Sequence, residues 1–115
     1  MQKWKIKYYA PSNASSPVYE FIESLSEVAQ SKIYQTFELL VEYNVLLRGP
    51  HVKKVIGTSL WELRILGTDN IRIFYIAVEE STFLLLHGFK KKQQKTSSKE
   101  IQTALKRLAE YRSRK

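Results

Sequence analysis

Three β-rich runs follow one another directly, Leu60–Leu66, Ile71–Val78 and Phe83–Phe89, separated only by Gly67-Thr68-Asp69-Asn70 and Glu79-Glu80-Ser81-Thr82. A parallel pair needs a crossover of about a dozen residues, so connections this short force neighbouring runs to turn back on themselves. The expectation is an antiparallel meander. Within its first strand, alternation puts Trp61, Leu63 and Ile65 on one face and Leu60, Glu62, Arg64 and Leu66 on the other.

The remaining chain supplies helices and one more strand. Trp4, Ile6 and Tyr8 alternate with Lys3, Lys5 and Lys7, the period of a half-buried strand that ends at Pro11-Ser12-Asn13. Ser16-Pro17 reads as an N-cap followed by proline at the first helical position, where the missing N–H costs nothing. Val18, Phe21, Ile22 and Leu25 then form one apolar stripe. A second helix starts after Ser26 and carries Ala29, Ile33, Phe37, Leu40 and Val41 until Asn44. Residues 46–59, with Gly49-Pro50 and Gly57-Thr58-Ser59, read as a basic connecting loop. Ser97 and Glu100 have capping-box spacing ahead of a last helix with Ile101, Ala104, Leu105, Leu108 and Tyr111 on one stripe, followed by a frayed tail, residues 112–115. The expected architecture is α+β in the order β-α-α-β-β-β-α, one domain over residues 1–115, with helices covering one face of a mostly antiparallel sheet.

Composition narrows the class of partner. The chain has 43% hydrophobic and 26% charged residues, which suits a folded protein, and no cysteine, which excludes disulfides and thiolate zinc sites. No stretch reaches the roughly 18 apolar residues of a membrane span, and the N-terminus lacks a signal-peptide core, so the expected location is the cytoplasm. The net charge of +8 is unevenly placed: residues 1–45 hold four Lys against five Glu, residues 46–115 fifteen Lys and Arg against six acids. The segment Lys90–Lys99 has five lysines and no acid. A basic segment anchored between a strand and a helix presents cations at a defined geometry, so nucleic acid is the first partner to consider.

The inventory of reactive side chains is short. Two histidines without cysteine or an acidic cluster make a poor metal site, and no phosphate-binding glycine loop or serine-nucleophile motif is present. No cofactor is expected. Arg72 interrupts the apolar run Ile71–Ile76 and there requires a carboxylate, with Glu62 the internal option, or a phosphate. Phe89 is either a core residue or a ring on which a base stacks. RNA cleavage suits this set, because the substrate brings its own nucleophile and the protein has only to align the 2′-hydroxyl, neutralise the phosphorane and move protons.

The succession Leu60-Trp61-Glu62-Leu63-Arg64, Ile71-Arg72-Ile73-Phe74-Tyr75, His87-Gly88-Phe89-Lys90-Lys91-Lys92 with Lys95-Thr96, and Glu100-Ile101 leading a helix with Ala104, resembles the RelE/ParE superfamily of bacterial toxins, in its phage-derived, HigB-like branch. The resemblance covers nearly the whole chain. It implies the toxin of a type II toxin–antitoxin pair, an mRNA endonuclease acting on translating ribosomes without a metal and held inactive by a cognate antitoxin, expected to be a helix-turn-helix protein. Arg72 matches the arginine that contacts the scissile phosphate, and Arg64 a position that is often basic. His87 and Lys91 are the candidates for proton transfer, since Tyr111 falls on an apolar stripe and the tail has no histidine. Glu62, Lys53, Lys54, Phe89, Lys90, Lys92 and Lys95 are the candidate RNA-binding residues. ParE-like members inhibit gyrase instead, and an inactive nucleic-acid-binding relative is the third reading.

Overall fold

The computed structural model describes residues 3–114; Met1 and Gln2 of the N-terminal reading and Lys115 of the basic tail lie outside the described residues. The elements are β1 (Lys5–Tyr8), α1 (Pro17–Glu23), α2 (Glu27–Tyr43), a 3₁₀ turn (Asn44–Leu46), β2 (Val52–Lys54), β3 (Trp61–Arg64), β4 (Ile71–Val78), β5 (Thr82–Lys90) and α3 (Ser98–Ser113). One five-stranded sheet runs in the order β1-β5-β4-β3-β2, with β1 parallel to β5 and the other pairs antiparallel. The meander β3-β4-β5 is therefore the centre of an α+β fold.

The order corrects the sequence reading at residues 46–59, which contain the edge strand β2 and, at Leu46, the end of the 3₁₀ turn rather than a plain loop. That strand has a single inward apolar residue, Val52, between polar neighbours, and it is held by pairing with β3. Three residues with one buried side chain give no alternation to read. At the other end the tail taken as frayed is helical through Ser113, and Arg114 pairs with Glu110 at 3.1 Å.

Helices cover both faces of the sheet, not one. Ile71, Ile73 and Tyr75 of β4 pack with Ile33, Phe37 and Leu40 beneath the α1–α2 hairpin, while Phe74 and Ile76 pack with Ala104, Leu108 and Tyr111 of α3. The cause is legible in β4 and β5, which are apolar on both sides as a doubly covered strand requires. Burying each such Leu, Ile or Phe side chain contributes about 1.5–3 kcal/mol. The helix starts follow the expected chemistry: the Ser16 and Ser26 hydroxyls accept from the Tyr19 and Ala29 amides, each at 3.2 Å.

One irregularity in the sheet positions the site. Phe74 faces His87 across the β4–β5 pair, yet its neighbour Tyr75 faces Leu85, so Leu86 is an extra residue in β5. Such a bulge resets which way the following side chains point. Leu84 and Leu86 face α3, and beyond the extra residue His87 and Phe89 do so as well. Gly88 accordingly turns to the other face, where a Cβ would stand 2.6 Å from Phe21 Cδ2. Only glycine lets α1 approach this closely.

Candidate nucleic-acid interface

The face of the sheet that carries α3 is covered over β4 and β5 and left open toward β3 and β2. Alternation there brings up Lys53, Glu62, Arg64 and Arg72. Arg64 and Arg72 are direct partners in the β3–β4 register. Two like charges opposite one another destabilise a sheet unless an anion lies between them.

Glu62 is that anion, and there is only one of it for two cations. Its side chain is 4% exposed, and Oε1 stands 3.5 Å from Arg64 Nε and 3.9 Å from Arg72 Nε. Neither Nε, though buried, has a hydrogen-bond partner. Arg72 Nη1 donates to the Ile71 carbonyl at 3.1 Å. The cluster keeps one uncompensated positive charge, with buried donors whose hydrogen bonds are unmade, a condition that an incoming oxyanion would relieve.

Beside this cluster lies an open cleft of about 450 Å³, lined by Lys53, Lys54, Glu62, Lys91, Lys95 and Thr96 among others. The 91–97 loop forms its far wall. The Lys91 amide donates to the Asn70 carbonyl at 2.8 Å, and Thr96 Oγ1 donates to Glu62 Oε2 at 3.1 Å. A second hollow of about 220 Å³ on this loop is lined by Lys90, Lys91, Lys92, Lys95 and Glu100. Lys53, Lys90, Lys92 and Lys95 are exposed, and Lys54 Nζ donates to the Thr58 carbonyl.

Three candidates are turned inward: Phe89 and Glu62 take the internal alternative of their sequence readings, and His87 is enclosed. Phe89 is 6% exposed and packs on Phe74 at 5.0 Å, so its ring is core and offers no open face for a base. Glu62, read as touching RNA, lies under the arginines. His87 is closed in by α3: Nε2 donates to Glu100 Oε1 at 2.6 Å, Nδ1 accepts from Arg107 Nη1 at 3.2 Å, and the ring stacks on Phe89. Glu100 thus turns to His87 and does not close a capping box with Ser97, whose hydroxyl accepts from the Lys99 amide. Sequence reasoning missed Thr96, Glu100 and Arg107 as partners: the bulge turns His87 toward Glu100 and Arg107, and the fold of the 91–97 loop brings Thr96 to Glu62. Tyr75, on the opposite face, is no base: burial pushes it up to about 12.

Burial holds His87 below its ordinary value of 6.5, outweighing the raising effect of the Glu100 bond. The unfolded chain then binds a proton that the folded chain resists. Stability is complete above pH 6.5 and falls as the pH drops through 6.5 toward the lower folded value. Melting curves at pH 7.5 and 5.5 should show this loss, and His87→Gln should reduce it. An unchanged difference in the variant would assign the pH dependence to other groups.

Among the described residues no group of three or more His, Asp or Glu is arranged to hold a metal, and no helix is long and apolar enough to cross a membrane. The model of the family described as "Phage derived protein Gp49-like (DUF891)" matches residues 20–109. The chain belongs to this family. A comparison with curated proteins gives no significant match. Among solved structures, the E. coli toxin RelE, as a double arginine-to-alanine mutant in the free state, is similar over 94% of this chain and 99% of its own, with a TM-score of 0.60 and 13% identity. This Gp49-like protein therefore has the RelE fold, and the phage-derived branch read from the sequence agrees with the family matched. The matched segment contains the arginine pair, Glu62 and the whole lysine loop.

Proposed function

We propose that this protein is the toxin of a type II toxin–antitoxin pair and an endoribonuclease that cuts messenger RNA on translating ribosomes. The observation that carries this reading is the opposed Arg64–Arg72 pair, sharing one buried carboxylate beside a lysine-lined cleft. Family membership and the RelE fold support it. In this reading Arg72 and Arg64 hold the scissile phosphate and stabilise the charge that grows on its oxygens. The 2′-oxygen bonds to phosphorus, the bond to the 5′-oxygen breaks, and the products are a 2′,3′-cyclic phosphate and a 5′-hydroxyl. No metal takes part. Lys91 lines the cleft and moves protons, whereas both ring nitrogens of His87 are already engaged. The cognate antitoxin is a helix-turn-helix protein, and both act in the cytoplasm.

Purified protein added to translating ribosomes and a defined message should yield new 3′ ends that carry a 2′,3′-cyclic phosphate. Inhibition of gyrase supercoiling without message cleavage would instead establish the ParE-like reading. A quantitative check concerns the cleft lysines. Replacing Lys53 and Lys95 together by alanine should flatten the log K against log salt plot for single-stranded RNA by about 1.4, at roughly 0.7 per phosphate contact. A slope that does not change would remove both from the RNA path.

A further inference from the structure

We infer that Glu62 is a positioning residue of this site, orienting the two strand arginines with one carboxylate oxygen and holding the lysine loop across the cleft with the other. The inference rests on the endonuclease reading for its chemistry. Its geometry stands independently.

The two oxygens have separate tasks. Oε1 approaches the Nε of both guanidiniums, so the carboxylate takes the inner side of each fork and leaves the Nη edge of Arg64 without a protein partner among the described residues. Oε2 accepts from Thr96, 34 positions away in sequence. Between the Lys91 amide, tied to Asn70, and Ser97 at the start of α3, that bond is the one side-chain hydrogen bond of the loop among the described residues. Lys92, Gln93, Gln94 and Lys95 are exposed, so little else limits where the lysines point. One buried side chain thus links the arginine pair to the loop that walls the neighbouring cleft.

The bland alternative is that Glu62 only neutralises charge, and the two ideas predict opposite signs. Glu62→Gln makes the protein more positive, so a purely neutralising carboxylate should, when removed, raise cleavage. A positioning carboxylate gives the reverse: kcat falls at least about tenfold, the size of one charge-assisted bond, while KM stays level or drops. Thr96→Val, which keeps the shape and removes the donor, should lower kcat/KM several-fold, and Thr96→Ser should restore it. Tryptic cleavage after Lys91, Lys92 and Lys95 reads the tether without any RNA. It should quicken several-fold in Thr96→Val and return to the wild-type rate in Thr96→Ser.

The outcomes separate cleanly. If the wild type cuts no message, the endonuclease reading fails, and the tryptic rates still decide the tether. A Glu62→Gln variant that melts like the wild type and cleaves as fast or faster overturns the positioning role, as does a Thr96→Val loop no more accessible to trypsin. Should Glu62→Gln not fold, the Thr96 pair decides alone.

Discussion

Arg72→Ala is expected to abolish growth inhibition on induced expression while the purified variant keeps its helical signal and cooperative melting. The side chain is 16% exposed, so it reaches the surface of the site and is not sealed within the core. Its removal leaves Glu62 paired with Arg64, which spares the sheet an unpaired buried carboxylate. The same change takes away half of the cationic pair assigned to the phosphate. Losing one such preorganised donor in other enzymes lowers kcat by about 10²–10³, and cleavage here should fall by that order. Arg72→Lys should recover only part of it, because an ammonium cannot supply two parallel donors. A fully toxic Arg72→Ala strain would remove this residue from the chemistry.

Phe74→Ala should be the most damaging single change to stability, at about 3–5 kcal/mol. Phe74 is 0% exposed and lies where β4 meets α3, with Phe89 at 5.0 Å and the His87 ring at 6.4 Å. Alanine leaves the space of the ring unfilled, so a cavity remains and the neighbouring rings lose contact atoms. Denaturant unfolding should show a lower midpoint with an unchanged slope, since the same surface is exposed on unfolding. A loss below about 1 kcal/mol would mean that α3 can close onto the sheet and that the face is less tightly packed than the burial implies.

Much of this architecture was legible in the chain because local signals and tertiary needs agree. The serine caps, the α1–α2 stripes and the short-looped meander all matched what the fold requires, and the alternation of β3 correctly put Glu62 and Arg64 on one face. What escaped was set by partners distant in sequence. β2 is a strand only because β3 pairs with it. The second covered face required reading Phe74 and Ile76 as inward residues of their own layer, separate from that of Ile73 and Tyr75. For Phe89 the sequence left core and base-stacking open, and its placement and that of His87 both follow from the extra residue at Leu86, which no periodicity announces. Glu62 was legible as a partner for the arginines, whereas its bond to Thr96 depends on how the 91–97 loop folds back, which no periodicity records.

That extra residue in β5 has a consequence for how this chain can tolerate change. Deleting Leu86 would restore strict alternation without turning any neighbour over, because Leu84, His87 and Phe89 would still face α3 and Gly88 would still face α1. The polypeptide would leave the sheet on the same side, and the lysines would still emerge beside the arginines. The extra residue is thus a place where the gene can lose one codon without moving the molecule's positive field.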